Sequence, residues 1–185
     1  RYANGHEALH ALSFRVHAGE MVFVTGHSGA GKSTLLKLIA LIERPSSGAI
    51  DVAGQNLAKV RGRRIARLRR ELGMVFQDHR LLMDRSVGAN VALPLIIAGV
   101  PADERARRVR AALEKVGLLA YEKQAPVTLS TGEQQRVGIA RAIVARPALI
   151  IADEPTGNLD PQLSFEVMQL FADFQKVGTT VLVAS

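Results

Sequence analysis

The sequence contains no cysteine and no tryptophan, and aromatic residues make up only 4% of its 185 positions. The lack of cysteine excludes disulfides and thiolate metal sites, and it is compatible with a reducing cytoplasm. So few aromatic residues offer little on which nucleic acid bases could stack. With 48% hydrophobic and 22% charged residues, the composition is that of a soluble globular protein. The length suits one domain with a smaller subdomain inserted in it.

Long apolar runs are also absent, since no stretch approaches the roughly 18 residues that a membrane-spanning helix needs. The longest one, Val91 to Val100, is interrupted by Pro94 and Gly99, which favours a core segment or a partner-binding groove. Residues 1–19 mix charged and polar residues and show no secretory signal. The chain starts partway through a strand-like segment and ends inside the apolar segment 180–185. We therefore expect the intact protein to continue at both ends.

Basic residues exceed acidic ones, and the formal net charge is +7. Six arginines fall within residues 61–70, and four more fall within 105–110. The first group surrounds Ile65 and Leu68 at helical spacing, which favours a solvated helix face. An anionic membrane surface is the second interpretation and nucleic acid the third. We expect no nucleic acid partner.

The hydrophobic pattern alternates strands with helices. The predicted strands are 21–25, 149–152 and 180–184, and the predicted helices are 32–42, 102–116, 133–145 and 162–176. The first helix is ended by Pro45. Such alternation indicates an α/β fold with a mostly parallel sheet covered on both faces. Residues from about 78 to 145 follow a mostly helical pattern instead, which predicts a helical insertion.

A glycine-rich loop separates the first predicted strand from the first helix. Residues 26–33, Gly-His-Ser-Gly-Ala-Gly-Lys-Ser, fit the phosphate-loop pattern, in which two glycines five residues apart precede Lys and Ser or Thr. Backbone N–H groups and the helix dipole bind phosphates, Lys32 meets the outer phosphates, and the Ser33 hydroxyl ligates Mg²⁺. The predicted nucleotide-binding residues are Gly26, His27, Ser28, Gly29, Ala30, Gly31, Lys32, Ser33 and Thr34, with His27 at a variable position. An ordinary glycine turn is the alternative, and the Lys-Ser pair and both flanking elements argue against it.

Two carboxylates follow the apolar segment 149–152. Asp153 and Glu154 would lie at the carboxyl end of a buried parallel strand, which is the edge where such sheets bind ligands. Asp153 is suited to hold Mg²⁺ through water, and Glu154 to polarise the water that attacks the γ-phosphate. A solvated pair of carboxylates is the alternative, and the phosphate loop upstream favours the functional interpretation. We therefore predict ATP and Mg²⁺ as ligands, and Lys32 and Glu154 as catalytic residues.

A third motif lies just before that strand and points to a family. Residues 129–136, Leu-Ser-Thr-Gly-Glu-Gln-Gln-Arg, closely resemble the LSGGQ signature of ATP-binding cassette (ABC) ATPases. The resemblance covers essentially the whole chain. It includes Tyr2, whose equivalent stacks on adenine, and Gln77, which matches the loop that senses Mg²⁺ and the membrane partner. It also includes residues 157–160, which match the D-loop.

The resemblance implies the fold of a phosphate-loop ATPase of the ABC type. Its parts would be a mostly parallel core sheet with flanking helices, an N-terminal antiparallel β part and an inserted helical subdomain. The whole chain, 1–185, would then be a single nucleotide-binding domain, with the helical subdomain at about 78–145.

The resemblance also implies an assembly in which two cassettes sandwich two ATP molecules. Ser130 and the Gly132 backbone of one subunit would contact the γ-phosphate held by the other, and Glu133 would lie beside them as part of the nucleotide site. The implied Mg²⁺ ligands are Ser33, Gln77 and Asp153. Hydrolysis would then require a homodimer.

Within the family, residues 26–39 and 73–85 are most similar to the cell-division members. This similarity implies an integral membrane partner, peripheral binding at the cytoplasmic face of the bacterial inner membrane, and activation of cell-wall hydrolases at the division site. The nearest alternative is a cassette for lipoprotein release or macrolide export. Another is a nucleotide-dependent division scaffold with little turnover. A soluble cassette that acts on DNA or ribosomes would carry coiled-coil insertions or tandem cassettes, and neither is seen.

Three features depart from the family pattern. Thr131 replaces the first signature glycine, which is costly if φ there must be positive and tolerable if the backbone is helical. Leu41 replaces a glycine near the end of the phosphate-loop helix, which indicates either a different helix ending or a better buried contact. The switch histidine of the family would follow residue 185. On these grounds we expect the chain to bind nucleotide but to hydrolyse it poorly.

Overall fold

The computed structural model describes residues 7–185, and its centre is a four-stranded sheet in which all neighbouring strands are parallel. The strands are β1 (Met21–Val24), β2 (Asp51–Val52), β3 (Gln55–Asn56), β4 (Leu72–Val75), β5 (Leu149–Asp153) and β6 (Thr180–Ala184). The helices are α1 (Lys32–Ile39), α2 (Arg63–Arg70), α3 (Val87–Ile97), α4 (Ala102–Lys115), α5 (Thr131–Ile143) and α6 (Pro161–Lys176). The sheet order is β1-β6-β5-β4. The carboxyl ends of β1 and β5 therefore share one edge of the sheet.

Apolar residues cover both faces of this sheet. Because successive side chains of a strand point to opposite faces, Ile150 packs in one hydrophobic cluster and its neighbour Ile151 in the other. The first cluster joins the sheet to α3, α4, α5 and α6, with Phe171 of α6 fully buried. The second joins it to α1 and α2, with Leu68 of α2 fully buried. The predicted parallel sheet with helices on both faces is thus confirmed.

A short hairpin provides the antiparallel part of the fold. Strands β2 and β3 pair antiparallel across a turn in which Ala53 and Gly54 have φ of 49° and 72°. Two consecutive left-handed residues are typical of the tight turns that join twisted strands. Residues 7–20 contain no strand, so in the part that the structure describes the antiparallel pairing falls at 51–56. The strand expected at the start of the chain begins outside the described residues.

The segment predicted as a helical insertion contains α3, α4 and α5, which pack against one another. Helix α3 was not predicted, because Pro94 lies inside it. The helix buries Val91 and Leu95 and exposes Ile96 and Ile97. One face of this apolar stretch therefore lies in the hydrophobic core, and the other face is exposed. The three helices share a hydrophobic cluster with the sheet, and their separate status as a subdomain stays a prediction. Among the described residues, no helix is long and apolar enough to cross a membrane.

Helix α1 ends at Ile39 rather than near Ile42, and the prediction was wrong by about one turn. The cause is Leu41, which follows the C-cap with φ of 53° and only 4% exposure. Its carbonyl oxygen accepts a hydrogen bond from Arg69 Nη2 at 2.8 Å. Leu41 therefore keeps the left-handed backbone that suits glycine and gains a buried contact as well.

Candidate functional site

The phosphate loop crosses from β1 to α1 at the carboxyl edge of the sheet. Gly29 and Gly31 have φ of 81° and 89°, in the left-handed region that glycine enters without steric cost. A Cβ atom at Gly31 would overlap the carbonyl oxygen of Ala8 and the side chain of Leu9. Only glycine fits position 31 with this backbone, as the phosphate-loop pattern predicts.

The first two residues of α1, Lys32 and Ser33, contribute side chains to the site. Lys32 Nζ donates to the carbonyl oxygen of Gly26 at 2.5 Å, which places the ammonium group across the loop. Ser33 Oγ donates to Asp153 Oδ1 at 3.1 Å. Because β1 and β5 end at the same edge, the sheet brings together residues 120 positions apart. This contact joins the phosphate loop to the first of the two carboxylates.

Gln77 and Glu154 form a second contact at the same edge. Gln77 follows the end of β4, and its Nε2 donates to Glu154 Oε2 at 3.1 Å. Glu154 has φ of 45°, and its backbone N–H donates to the carbonyl oxygen of Ala184 at 2.9 Å. Strand β4, which carries Gln77 to this edge, was not predicted from the sequence. The four-residue segment includes Gly73 and is too short to give a clear pattern.

Helix α5 begins with a capping box. Ser130 Oγ accepts from the Glu133 backbone N–H at 3.3 Å, and the Glu133 carboxylate accepts from the Ser130 backbone N–H and hydroxyl, both at 2.8 Å. The hydroxyl donor is the main cause that lowers the pKa of Glu133. Thr131 is the first helical residue and has no positive φ. The backbone thus accommodates threonine, and the structure gives no support to a loss of turnover from this residue.

The signature segment lies beside the D-loop. A Cβ atom at Gly132 would be 3.3 Å from a methyl group of Leu159 and 3.6 Å from the carbonyl oxygen of Asn158. Tyr2 lies outside the described residues, so its predicted contact with adenine stays a prediction. The predicted phosphate-loop, Gln77, Asp153 and Glu154 positions meet at one edge, whereas Ser130, Gly132 and Glu133 lie at the helix α5 terminus.

Ser33 and Asp153 provide oxygen ligands for a Mg²⁺ ion. The Ser33 hydroxyl and the Asp153 carboxylate already touch, and both are oxygen ligands of the kind that Mg²⁺ prefers. Gln77 points its amide at Glu154 instead. Among residues 7–185 no group of three or more His, Cys, Asp or Glu side chains could hold a metal ion. A hydroxyl and one carboxylate fit an ion that takes its other ligands from phosphates and water.

Two polar side chains of α5 that were not predicted as site residues hold backbone carbonyl groups near this edge. Gln135 is 1% exposed, and its Nε2 donates to the carbonyl oxygen of Pro155 at 3.0 Å. Arg141 donates to the carbonyl oxygens of His79 and Arg80, at 2.5 and 2.7 Å. The available signal was a glutamine four residues before the buried Ile139 on a helix, since polar residues at core positions need a specific partner.

The family of this chain follows from its similarity to known proteins. Residues 9–157 match the ABC transporter family. The chain belongs to the ABC family. Over 184 residues this cassette is 58% identical to the cell division ATP-binding protein FtsE of Escherichia coli strain K12, covering 100% of this chain and 83% of that protein. It is 46% identical to FtsE of Bacillus subtilis strain 168, covering 100% of this chain and 81% of that protein.

Solved structures confirm the cassette fold. The post-hydrolysis state of the ATP-binding cassette MJ0796 bound to ADP and Pi, which is dimeric, superposes with a TM-score of 0.94 at 33% identity. The match covers 100% of this chain and 83% of that one. The expected phosphate-loop ATPase fold of the ABC type, with an antiparallel β part beside the parallel sheet, is therefore correct.

Proposed function

We propose that this cassette is the ATP-hydrolysing subunit of a bacterial inner-membrane complex that acts in cell division, as an FtsE-like protein with an FtsX-like integral membrane partner. The observation that carries the proposal is 58% identity to FtsE over the full chain, together with the Ser33–Asp153 and Gln77–Glu154 contacts at one sheet edge. The partner, the regulation of cell-wall hydrolysis and the peripheral location at the cytoplasmic face are inferred from the relatives' role in division.

The residues support in-line attack of water on the γ-phosphate. The phosphate loop and Lys32 bind the phosphates, since backbone N–H groups, a helix N-terminus and an ammonium group all favour negative charge. Ser33 and Asp153 would hold Mg²⁺, which neutralises charge that develops on the phosphates. Glu154 accepts a hydrogen bond from Gln77, which orients its carboxylate, and we assign to it the polarisation of the attacking water.

A homodimer would complete the site. In this proposal Ser130 and the Gly132 backbone of one subunit contact the γ-phosphate that the other subunit holds. The dimeric state of the related cassette MJ0796 supports this arrangement. Ser130 lies at the N-terminus of a 13-residue helix, which favours an anion there.

The membrane partner would bind beside Gln77. Leu82 and Met83, which follow the Gln77 loop, are 42% and 51% exposed. Ile96 and Ile97 of α3 are 50% and 65% exposed. Apolar side chains on two neighbouring segments form a surface of the kind that partner proteins bury.

The decisive experiment replaces Glu154 with Gln, which keeps the amide contact with position 77 but removes the base. We expect ATP hydrolysis to be lost, ATP binding to persist, and an ATP-dependent dimer to accumulate in gel filtration. A variant that stays monomeric with and without ATP would contradict the sandwich mechanism. Affinity purification from the native host then tests the partner, since recovery of a transporter for lipoproteins or macrolides would favour the alternative function.

A division scaffold with little turnover differs from the proposal in one testable respect. If Glu154→Gln still supports division in cells that lack the native protein, the cassette acts through nucleotide binding alone. Loss of division together with loss of hydrolysis supports the ATPase.

A further inference from the structure

Helix α5 contacts the chain on both sides of the Gln77–Glu154 hydrogen bond. On one side, Gln135 Nε2 donates to the carbonyl oxygen of Pro155, the residue directly after Glu154. On the other side, Arg141 donates to the carbonyl oxygens of His79 and Arg80, the second and third residues after Gln77. One helix therefore fixes the backbone that carries each partner of that bond.

The segment held by Arg141 has a strained backbone. His79 and Arg80 have φ of 55° and 47°, and two consecutive non-glycine residues in the left-handed region need outside contacts to persist. Some contacts are internal, because Arg80 Nε pairs with Asp78 at 3.1 Å and its guanidinium lies 4.3 Å from the centre of the Phe76 ring. These contacts hold the side chain of Arg80 and leave both carbonyl oxygens to Arg141.

Arg141 supplies two hydrogen bonds to this segment from another element. Its two Nη atoms donate separately to the two carbonyl oxygens, and a charged donor forms stronger hydrogen bonds than a neutral one. Its side chain is half-buried, and burial lowers the pKa of Arg141. Arginine keeps its charge throughout the physiological range all the same. The later part of the loop has its own anchor, because the Asn90 side chain bonds both backbone groups of Leu82.

We propose that Arg141 is a positioning residue for hydrolysis, which holds the His79–Arg80 backbone and thereby keeps Gln77 on Glu154. Because Ser130 caps the same helix, α5 then couples the signature end, where the partner subunit's nucleotide would bind, to the catalytic glutamate of its own site. Gln135 holds the backbone next to Glu154, the other partner of the Gln77–Glu154 hydrogen bond. This proposal rests on the proposed ATPase function.

The test compares Arg141→Met, Arg141→Lys and Arg108→Met in the full-length protein. Arg108 is the matched control, since its half-buried guanidinium also donates to a backbone carbonyl, that of Val144, at 3.0 Å. Its partners, Val144 and Glu104, are not among the residues assigned to the nucleotide site. We expect Arg141→Met to lower kcat about tenfold or more, with ATP affinity within about twofold, because small misplacements of reacting groups can cost on the order of 100-fold. Arg141→Lys should recover part of the loss, and Arg108→Met should leave kcat near the wild-type value.

A double-mutant cycle with Gln77→Ala separates positioning from a general loss of structure. If Arg141 acts through Gln77, adding Arg141→Met to Gln77→Ala should lower kcat no further. Effects that multiply, or an unchanged kcat in Arg141→Met, would overturn the proposal.

Hydrogen exchange supplies a readout that does not need hydrolysis. Backbone amides of residues 77–81 should exchange faster in Arg141→Met and at the wild-type rate in Arg108→Met. If the wild-type protein proves inactive while this difference appears, the proposed function fails and the positioning contact stands. Equal exchange in both variants would refute the contact itself.

Discussion

Replacing Leu41 with glycine sets two opposing effects against each other at the end of the phosphate-loop helix. Leu41 is 4% exposed and packs in the cluster that contains Leu36 and Leu68. Deleting a buried leucine side chain costs about 2–5 kcal/mol. The same residue has φ of 53°, and relief of that left-handed strain returns about 1–2 kcal/mol. The packing loss is the larger of the two, so we expect Leu41→Gly to destabilise the fold by about 2 kcal/mol, within a range of about 0–4 kcal/mol.

The comparison with Leu41→Ala isolates the strain. Alanine loses nearly all of the packing and keeps the left-handed cost, whereas glycine relieves that cost and adds only about 0.4–1 kcal/mol of entropy to the unfolded chain. The expected order of stability is therefore leucine, then glycine, then alanine, which reverses the usual order of alanine and glycine near a helix.

Thermal unfolding measures both differences. At about 2–4 °C for each kcal/mol in a chain of this size, Leu41→Gly should lower Tm by several degrees, and Leu41→Ala by more. A Tm for Leu41→Gly at or above the wild-type value would show that strain, not packing, dominates at this position. An alanine variant more stable than the glycine variant would show that the left-handed backbone relaxes when the side chain is removed.

Three further perturbations test the phosphate loop, the start of α5 and the basic face of α2. Gly31→Ala should abolish nucleotide binding in a fluorescence titration, because the new methyl group would overlap the Ala8 carbonyl oxygen at φ of 89°; binding at the wild-type level would contradict the phosphate-loop geometry. Glu133→Gln should lower Tm at neutral pH, with the difference from wild type fading as the solution is acidified. The lowered pKa of Glu133 means that its carboxylate contributes stability above its unfolded pKa and loses it as pH falls through the folded one; a pH-independent difference would refute this assignment. Charge reversal of the exposed Arg63, Arg64, Arg67 and Arg70 of α2 should reduce co-sedimentation with anionic vesicles at low salt, since each basic residue near such a surface contributes about 1 kcal/mol; no binding by the wild type would exclude a membrane role for this face.

Motifs and periodicity together predicted much of this fold from the sequence. The strands at 21–24, 149–153 and 180–184 are within about a residue of their predicted bounds, because each is a short run of mostly apolar residues. Strand β4 and helix α3 were missed for different reasons. Strand β4 has only four residues, and Pro94 made α3 look interrupted although the proline lies within the helix. Local rules fail where tertiary packing supports the exception.

The site residues also differ in how far the local sequence predicts them. The phosphate loop was predicted from a local glycine pattern, and Gly31 has the left-handed backbone that suits glycine. Gln77 was predicted as a site residue only by resemblance, since nothing within a few residues of it dictates its contact with Glu154. That contact joins residues 77 positions apart, and only the sheet order brings them together. Arg141 and Gln135 were missed because their partners are backbone carbonyl groups, which any sequence provides.

Three of the non-glycine residues with positive φ in the described chain surround one hydrogen bond. They are His79 and Arg80, just after Gln77, and Glu154 itself. Strain of this kind persists only where neighbouring structure overdetermines it. Here the Ala184 carbonyl oxygen holds the Glu154 backbone N–H, and Arg141 holds the carbonyl oxygens of the other two. Since β6 and α5 both hold strained backbone at this edge, a shift of either element would move Gln77 relative to Glu154. The geometry of the pair therefore depends on how α5 sits against the sheet. Under the proposed function, a ligand bound at Ser130 at the start of α5 would alter hydrolysis without touching Glu154.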